Sequence, residues 1–467
     1  MNEIEPPKLT DEFRWYAEHT ALIYSTLKWA ALGLMSGIFV GLGTRVFLLV
    51  LRWTTHIVSH GPMKHVPYFA ALPLILPLSV FLIRKFAPTA RGHGTEAVIA
   101  AVHEQFGRVD WRVAPVKLAA TVLTLAFGGS VGKEGPCAQI GASISSLFAD
   151  ILKLGDEDRR RLVICGISGG FAAVFGTPVA GALFGIEVLY LGRIEYSVLL
   201  PCLISGIAAH LVCGTIAPSP LLTEQVGHLS QTSLAFLSAI FGFLCGLLAL
   251  AFIELMRSTE HFLQRFSSRP YLVAFTGGCA LAATYSLFGT GAAGLGIPTI
   301  DSALNGVVPA LGVAFGVKML TTTITLETGG SGGIVTPLFY IGATFGALFG
   351  HIFHLPVGLF ASFGFIAVAA AATNAPIAFS VMAMSILPPS IGVFASLSAC
   401  AAYLLVGHRS VYASQKLGTL KTAGLTMKVG VPIGQVSPRD MHVRSGSGTE
   451  RMLNLERKIR KNRRRGQ

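Results

Sequence analysis

Charged residues are too scarce in this chain to cover a water-facing surface of its size. Of its 467 residues only 13% are charged, while 52% are hydrophobic. Soluble domains carry roughly 25% charged residues. Apolar runs at residues 29–51, 68–83, 113–127, 233–255 and 357–372 recur along nearly the whole length. About 20 apolar residues cross a bilayer as a helix, because backbone groups in hydrocarbon must bond within their own segment. The pattern predicts an all-α polytopic membrane protein. Several runs are short or interrupted, and the 53 glycines and 23 prolines fall largely inside the apolar region. That placement predicts closely packed helices, some ending part-way through the membrane.

The formal net charge of +13 comes mostly from the C-terminal end, where Arg457, Lys458, Arg460, Lys461, Arg463, Arg464 and Arg465 crowd together. Behind a membrane domain such a run reads as a cytoplasmic retention signal, not as a nucleic-acid surface. Glu3, Glu5, Asp11 and Glu12 stand where a cleavable leader would be basic, so the first apolar helix is expected to stay. The seven cysteines lack CxxC spacing and sit among apolar residues, which reads as packing and predicts neither disulfides nor a metal site. No cofactor is expected.

Three glycine/proline motifs occur twice in the same order. Gly92-His93-Gly94 matches Gly294-Leu295-Gly296. The loop from Gly128 to Pro136, ending Gly132-Lys133-Glu134-Gly135-Pro136, matches Thr328 to Pro337, ending Gly332-Gly333-Ile334-Val335-Thr336-Pro337. Gly176-Thr177-Pro178 matches Asn374-Ala375-Pro376. Offsets of 198 to 202 residues point to an internal repeat, and repeat-built membrane proteins are often transporters with a site between the repeats. The expected organisation is an N-terminal cytoplasmic segment (1–26), transmembrane repeats at 27–221 and 231–414, and a basic cytoplasmic tail (415–467). Whether the repeats are inverted or parallel stays open.

Each long glycine loop leads into an apolar helical stretch. A glycine loop that opens a helix leaves backbone N–H groups without intrahelical partners, and with the helix dipole these attract an anion. Glu134 lies inside one such loop. An ionisable group at membrane depth is costly and marks function. A carboxylate there competes with the anion for the site and admits it by swinging away or taking a proton. That makes a gate sensitive to pH and voltage.

At these residues the sequence resembles the CLC family of chloride channels and chloride/proton exchangers, from about residue 27 to 415. Gly132-Lys133-Glu134-Gly135-Pro136 is similar to the family motif whose glutamate gates the pathway. The resemblance implies two internally repeated halves with broken, tilted helices. It places the central anion, chloride or a similar ion, on the amides of Ile334 and Val335 and beside Tyr412, with Gly132, Gly135 and His93 around it. It further implies a homodimer with one pathway per subunit, in the bilayer of a bacterial inner membrane.

Two departures bear on mechanism. His93 stands where the family's first loop supplies a serine hydroxyl: either its imidazole reaches the ion, or it turns away and a backbone N–H serves. Val188 follows Glu187 where exchangers commonly carry a proton-handling glutamate. Valine cannot carry a proton, which predicts channel-like conduction, with proton antiport by another route as the alternative. An intramembrane enzyme is the rival reading. An HExxH motif is absent from the sequence, and the chain is not expected to be an enzyme.

Overall fold

Proline opens and glycine closes many of the helices. A computed structural model describes residues 11–60, 67–214, 229–309, 312–436 and 440–454. The basic run at 457–465 and the expected end of the first half at 221 lie outside the described residues. Sixteen α-helices are described. The first eight are α1 (Asp11–His60), α2 (Leu72–Phe86), α3 (Thr95–Glu104), α4 (Val113–Ala126), α5 (Glu134–Ile151), α6 (Asp156–Phe175), α7 (Pro178–Glu187) and α8 (Leu199–Cys213). The others are α9 (Gln231–Gln264), α10 (Pro270–Phe288), α11 (Ile297–Leu304), α12 (Ala314–Glu327), α13 (Val335–Ile352), α14 (Val357–Thr373), α15 (Pro376–Ile386) and α16 (Pro389–Leu405). Helix α1 is continuous across residues 26 and 27. Pro178, Pro270, Pro376 and Pro389 each occupy a first helical position, where the missing N–H has no intrahelical partner to lose. Helices α6 and α8 end on the left-handed Gly176 and Gly214.

Among the described residues six helical segments are long and apolar enough to cross a bilayer. Several others, such as α7 and α15, have only 10 and 11 residues and stop short. This is an all-α, multi-pass membrane fold. The innermost layer is made of α5, α6, α13 and α14, whose chains touch without intervening side chains. A Cβ on Gly141 of α5 would run into the Gly166 carbonyl of α6; one on Gly342 of α13 would strike the Gly364 carbonyl of α14. Lipid offers no hydrophobic drive between helices, so close backbone packing of this kind supplies the cohesion.

The two long glycine loops are stitched together reciprocally. Gly132 N–H donates to Gly333 O and Gly333 N–H to Gly132 O, both at 2.6 Å. Ser130 N–H donates to Thr325 Oγ1 and Ser331 N–H to Thr124 Oγ1, both at 3.1 Å. Ser130 Oγ pairs with Thr322 Oγ1 at 2.9 Å and Ser331 Oγ with Thr121 Oγ1 at 3.0 Å. Equivalent residues thus exchange equivalent bonds, as a local two-fold relation requires. Each satisfies a loop donor or hydroxyl that would be costly to bury alone.

Two buried lysines follow the same relation. Lys117 Nζ donates to Ala90 O at 3.1 Å and Gly92 O at 2.6 Å; Lys318 Nζ donates to Ala292 O at 3.0 Å and Gly294 O at 2.8 Å. Each pins one of the short glycine loops to the helix behind it.

Beyond α16 the chain forms a small cap. Strand β1 (Tyr190–Leu191) pairs in parallel with β2 (Lys416–Leu417), and β3 (Leu425–Thr426) pairs antiparallel with β4 (His442–Val443). Lys421 anchors the cap to the helices, donating from Nζ to Asn374 Oδ1 at 2.7 Å and Tyr403 O at 2.6 Å.

Candidate anion site at the meeting of three glycine loops

Glycine contacts show where the loops converge. A Cβ on Gly135 would strike the His93 carbonyl and lie 3.0 Å from Gly333 Cα. A Cβ on Gly94, at φ +82°, would lie 2.5 Å from the Gly135 carbonyl oxygen. The space beside Gly132 is filled by the Glu134 carboxylate and, 3.1 Å from a built Cβ, by Thr336 N. The His93–Gly94 turn, the Gly132–Gly135 turn and the start of α13 therefore meet at one point inside the protein. Only glycine lets three backbones approach so closely.

Glu134 is 1% exposed and opens α5, yet its carboxylate is held by the other half of the chain. Thr336 N–H donates to Oε2 at 3.2 Å and the Thr336 hydroxyl donates to Oε1. Thr336 belongs to the first turn of α13, whose leading N–H groups have no intrahelical acceptor. The carboxylate so placed takes the N-terminal end of the helix dipole, worth about 0.3–1 kcal/mol at exposed sites and up to ~2 kcal/mol when partly buried. Ile334 and Val335, each 1% exposed, precede Thr336, and among the described residues their amides find no acceptor outside the helix.

Tyr412 is fully buried in the segment after α16, and Ser410 Oγ accepts its N–H at 3.0 Å. Its phenol neighbours Thr95, Glu96 and Glu134. Tyr412 Oη and His93 Nδ1 are both shielded from solvent with no hydrogen-bond partner. Buried polar atoms are normally satisfied. Two open ones call for a partner that brings its own hydrogen-bonding capacity. A negatively charged acceptor suits the N–H and O–H donors present.

Glu187 has a different task. It sits at the end of α7 and accepts the Ile377 N–H at 3.0 Å and the Ala378 N–H at 2.7 Å, capping α15 from across the molecule. Val188 is fully buried, and its carbonyl accepts from Gln415 Nε2 at 2.9 Å. Sequence reasoning missed three features: the Thr336 clamp on Glu134, the lysine pair and the position of Glu96. Glu96 accepts both N–H and Oγ–H of Ser414, at 2.9 and 2.6 Å, two residues past Tyr412. The signal for the lysines was present, since Lys117 and Lys318 share the 201-residue spacing of Pro136 and Pro337.

A multi-pass membrane fold whose paired glycine loops converge on a buried carboxylate sets the class of protein to look for. The chain matches the family model described as voltage gated chloride channel over residues 75–407, and it belongs to that family, the CLC proteins. It is 33% identical over 448 residues to a "Chloride/fluoride channel protein" of Pseudomonas syringae pv. tomato, covering 94% of this chain and 96% of that one. Among solved structures it is similar to a CLC-type fluoride/proton antiporter, at TM-score 0.78 and 25% identity over 85% of this chain and 99% of the other. A slow cyanobacterial Cl−/H+ antiporter shares the fold at TM-score 0.68 and 21% identity, over 82% and 96% of the two chains. A eukaryotic CLC transporter does so at TM-score 0.70 and 20% identity, over 84% and 74%. Family members are transporters or channels, and this chain is a multi-pass integral membrane protein of anion transport.

Proposed function

We propose that the chain moves a small halide, fluoride foremost, through a pathway gated by Glu134, in exchange for protons. In this reading the anion rests on the amides of Ile334 and Val335 beside Tyr412, while Gly132, Gly135 and His93 shape the space around it. The observation that carries the gate is the pair of hydrogen bonds that Thr336 donates to the Glu134 carboxylate. Donors at a helix start are held by a tethered anion, so an incoming halide replaces one negative charge with another. The helix dipole then contributes similarly before and after the swap. Proton uptake by Glu134 removes the competitor altogether.

Fluoride is the most strongly hydrated halide and needs short, strong donors in place of its water. Thr336 Oγ1, Tyr412 Oη, His93 Nδ1 and the amides offer such a set. The likeness to a chloride/fluoride channel protein and to a fluoride/proton antiporter supports the same substrate. Exchange for protons is supported by the antiporter likeness over 99% of that chain. A second reading, uncoupled conduction, is favoured by the apolar Val188 and by the engagement of Glu187 with α15. Assembly as a homodimer with one pathway per subunit belongs to either reading.

Purified protein in liposomes loaded with potassium fluoride distinguishes them. Under antiport, imposing a fluoride gradient drives protons against their own gradient. Fluoride efflux with no such proton movement selects the channel reading, and no halide efflux at all overturns both.

A further inference from the structure

We propose that Glu96 is the proton-carrying group on the tail side of the pathway, passing protons between solvent and Glu134 by way of Tyr412. The proposal rests on the antiport reading above. It starts from an asymmetry within one carboxylate. Glu96 Oε1 accepts two bonds from Ser414, which fix the side chain, while Oε2 is shielded from solvent and has no partner. A carboxylate oxygen held in place but unbonded is a free position for a proton.

The surroundings form an ordered series. Tyr412 has Thr95, Glu96 and Glu134 among its neighbours, and Glu96 is tied to Ser414 two residues further on. Tyr412 Oη is itself without a partner. A phenol both donates and accepts, so it can release its proton toward one carboxylate while receiving one from the other, and atoms and charge balance without a net change in the tyrosine. Glu104 of its own helix and Glu260 of α9 act on Glu96 through their charges. Both are exposed. Two surface carboxylates raise the local proton concentration in front of a shielded one. Lys117 and Arg409 are engaged elsewhere: Lys117 with the Ala90 and Gly92 carbonyls, Arg409 with Glu254 at 2.7 Å. Among the described residues the charged groups acting on Glu96 are the Glu104 and Glu260 carboxylates.

The route explains how protons cross a protein whose Val188 carries none and whose Glu187 is committed to α15. It stays inside the segment that already holds the anion site, with Glu96 one residue beyond Thr95 and Ser414 two beyond Tyr412.

The test measures fluoride efflux and proton uptake together in proteoliposomes for the wild type, E96Q and E96D. The glutamine oxygen still accepts both Ser414 bonds, so E96Q keeps the local fold and loses only the titratable group. We expect E96Q to retain fluoride efflux while proton uptake falls roughly 100-fold, the scale of a lost acid–base group. E96D restores it. Wild-type proton pumping with E96Q equally active overturns the role of Glu96 and leaves antiport standing. Parallel loss of fluoride and proton movement in E96Q and E96D alike also overturns it, as a structural defect. Absence of proton pumping in the wild type removes antiport and this proposal together.

Discussion

The Thr336 amide donates to the Glu134 carboxylate at 3.2 Å, tying the first turn of α13 to the first residue of α5 across 202 positions of chain. This single link joins the two repeated loops through their functional groups and not merely through their backbones. It also sets what each substitution at the site should do.

Glu134→Gln keeps the size of the side chain and removes its charge and its titration. Fluoride efflux by the wild type should accelerate as the pH falls, since protonation withdraws the competing anion. E134Q should give fast efflux with a flat pH profile. Stopped-flow or electrode measurements of efflux across the acidic to neutral range check this.

Thr336→Val deletes the hydroxyl while leaving the amide donor. A hydrogen bond to a charged group contributes about 1.5–3 kcal/mol. The carboxylate should leave the helix start about 10- to 100-fold more often, each 1.4 kcal/mol being roughly tenfold. Efflux by the variant at neutral pH should rise accordingly.

Gly135→Ala tests the convergence of the loops. The new methyl would meet the His93 carbonyl, a backbone atom that cannot move aside cheaply. Overpacking of this kind costs about 1–3 kcal/mol. Both thermal stability in detergent and halide flux should drop, whereas alanine at Gly155, which has open space around it, should change neither.

The architecture was legible because the bilayer imposes so few solutions on an apolar, charge-poor chain. Glu134 was legible too, since a carboxylate between Gly132 and Pro136 has no structural reason to be there. The Thr336 clamp was not, because a threonine in an apolar helix ordinarily bonds its own backbone, as Thr344 and Thr373 do here. Ser130, Thr325, Thr124 and Ser331 were hidden for the same reason. Their reciprocal bonds exist only once the halves are brought together, although their common 201-residue spacing is present in the sequence. The meaning of Glu96 depends on Ser414 and Tyr412, more than 300 residues away.

Thr325→Ala removes the acceptor of the Ser130 N–H and leaves that buried donor unsatisfied. The cost should be about 1–3 kcal/mol. The symmetry-related Thr124→Ala strands Ser331 N–H and should cost a similar amount. Thermal melts of both variants should shift down together, and unequal shifts would show that the two halves of the seam are not equivalent.

The tail cap offers a pH test outside the membrane-spanning helices. Burial lowers Lys421 from its ordinary value of 10.5 to about 6. Between these values the unfolded chain holds a proton that the folded one does not, so stability rises with pH across that window and the penalty is greatest below about 6. Lys421→Met should remove this part of the slope, read as the difference between wild-type and variant melting curves from pH 6 upward.

The central claim is that Glu134 and a free anion compete for the same donors at the start of α13. Anomalous diffraction from E134Q crystals grown in bromide tests it most directly. The account predicts a bromide peak within hydrogen-bonding reach of the Thr336 N–H, where the wild-type carboxylate lies. A site empty of bromide there, or filled equally in the wild type with Glu134 still bonded to Thr336, would contradict it.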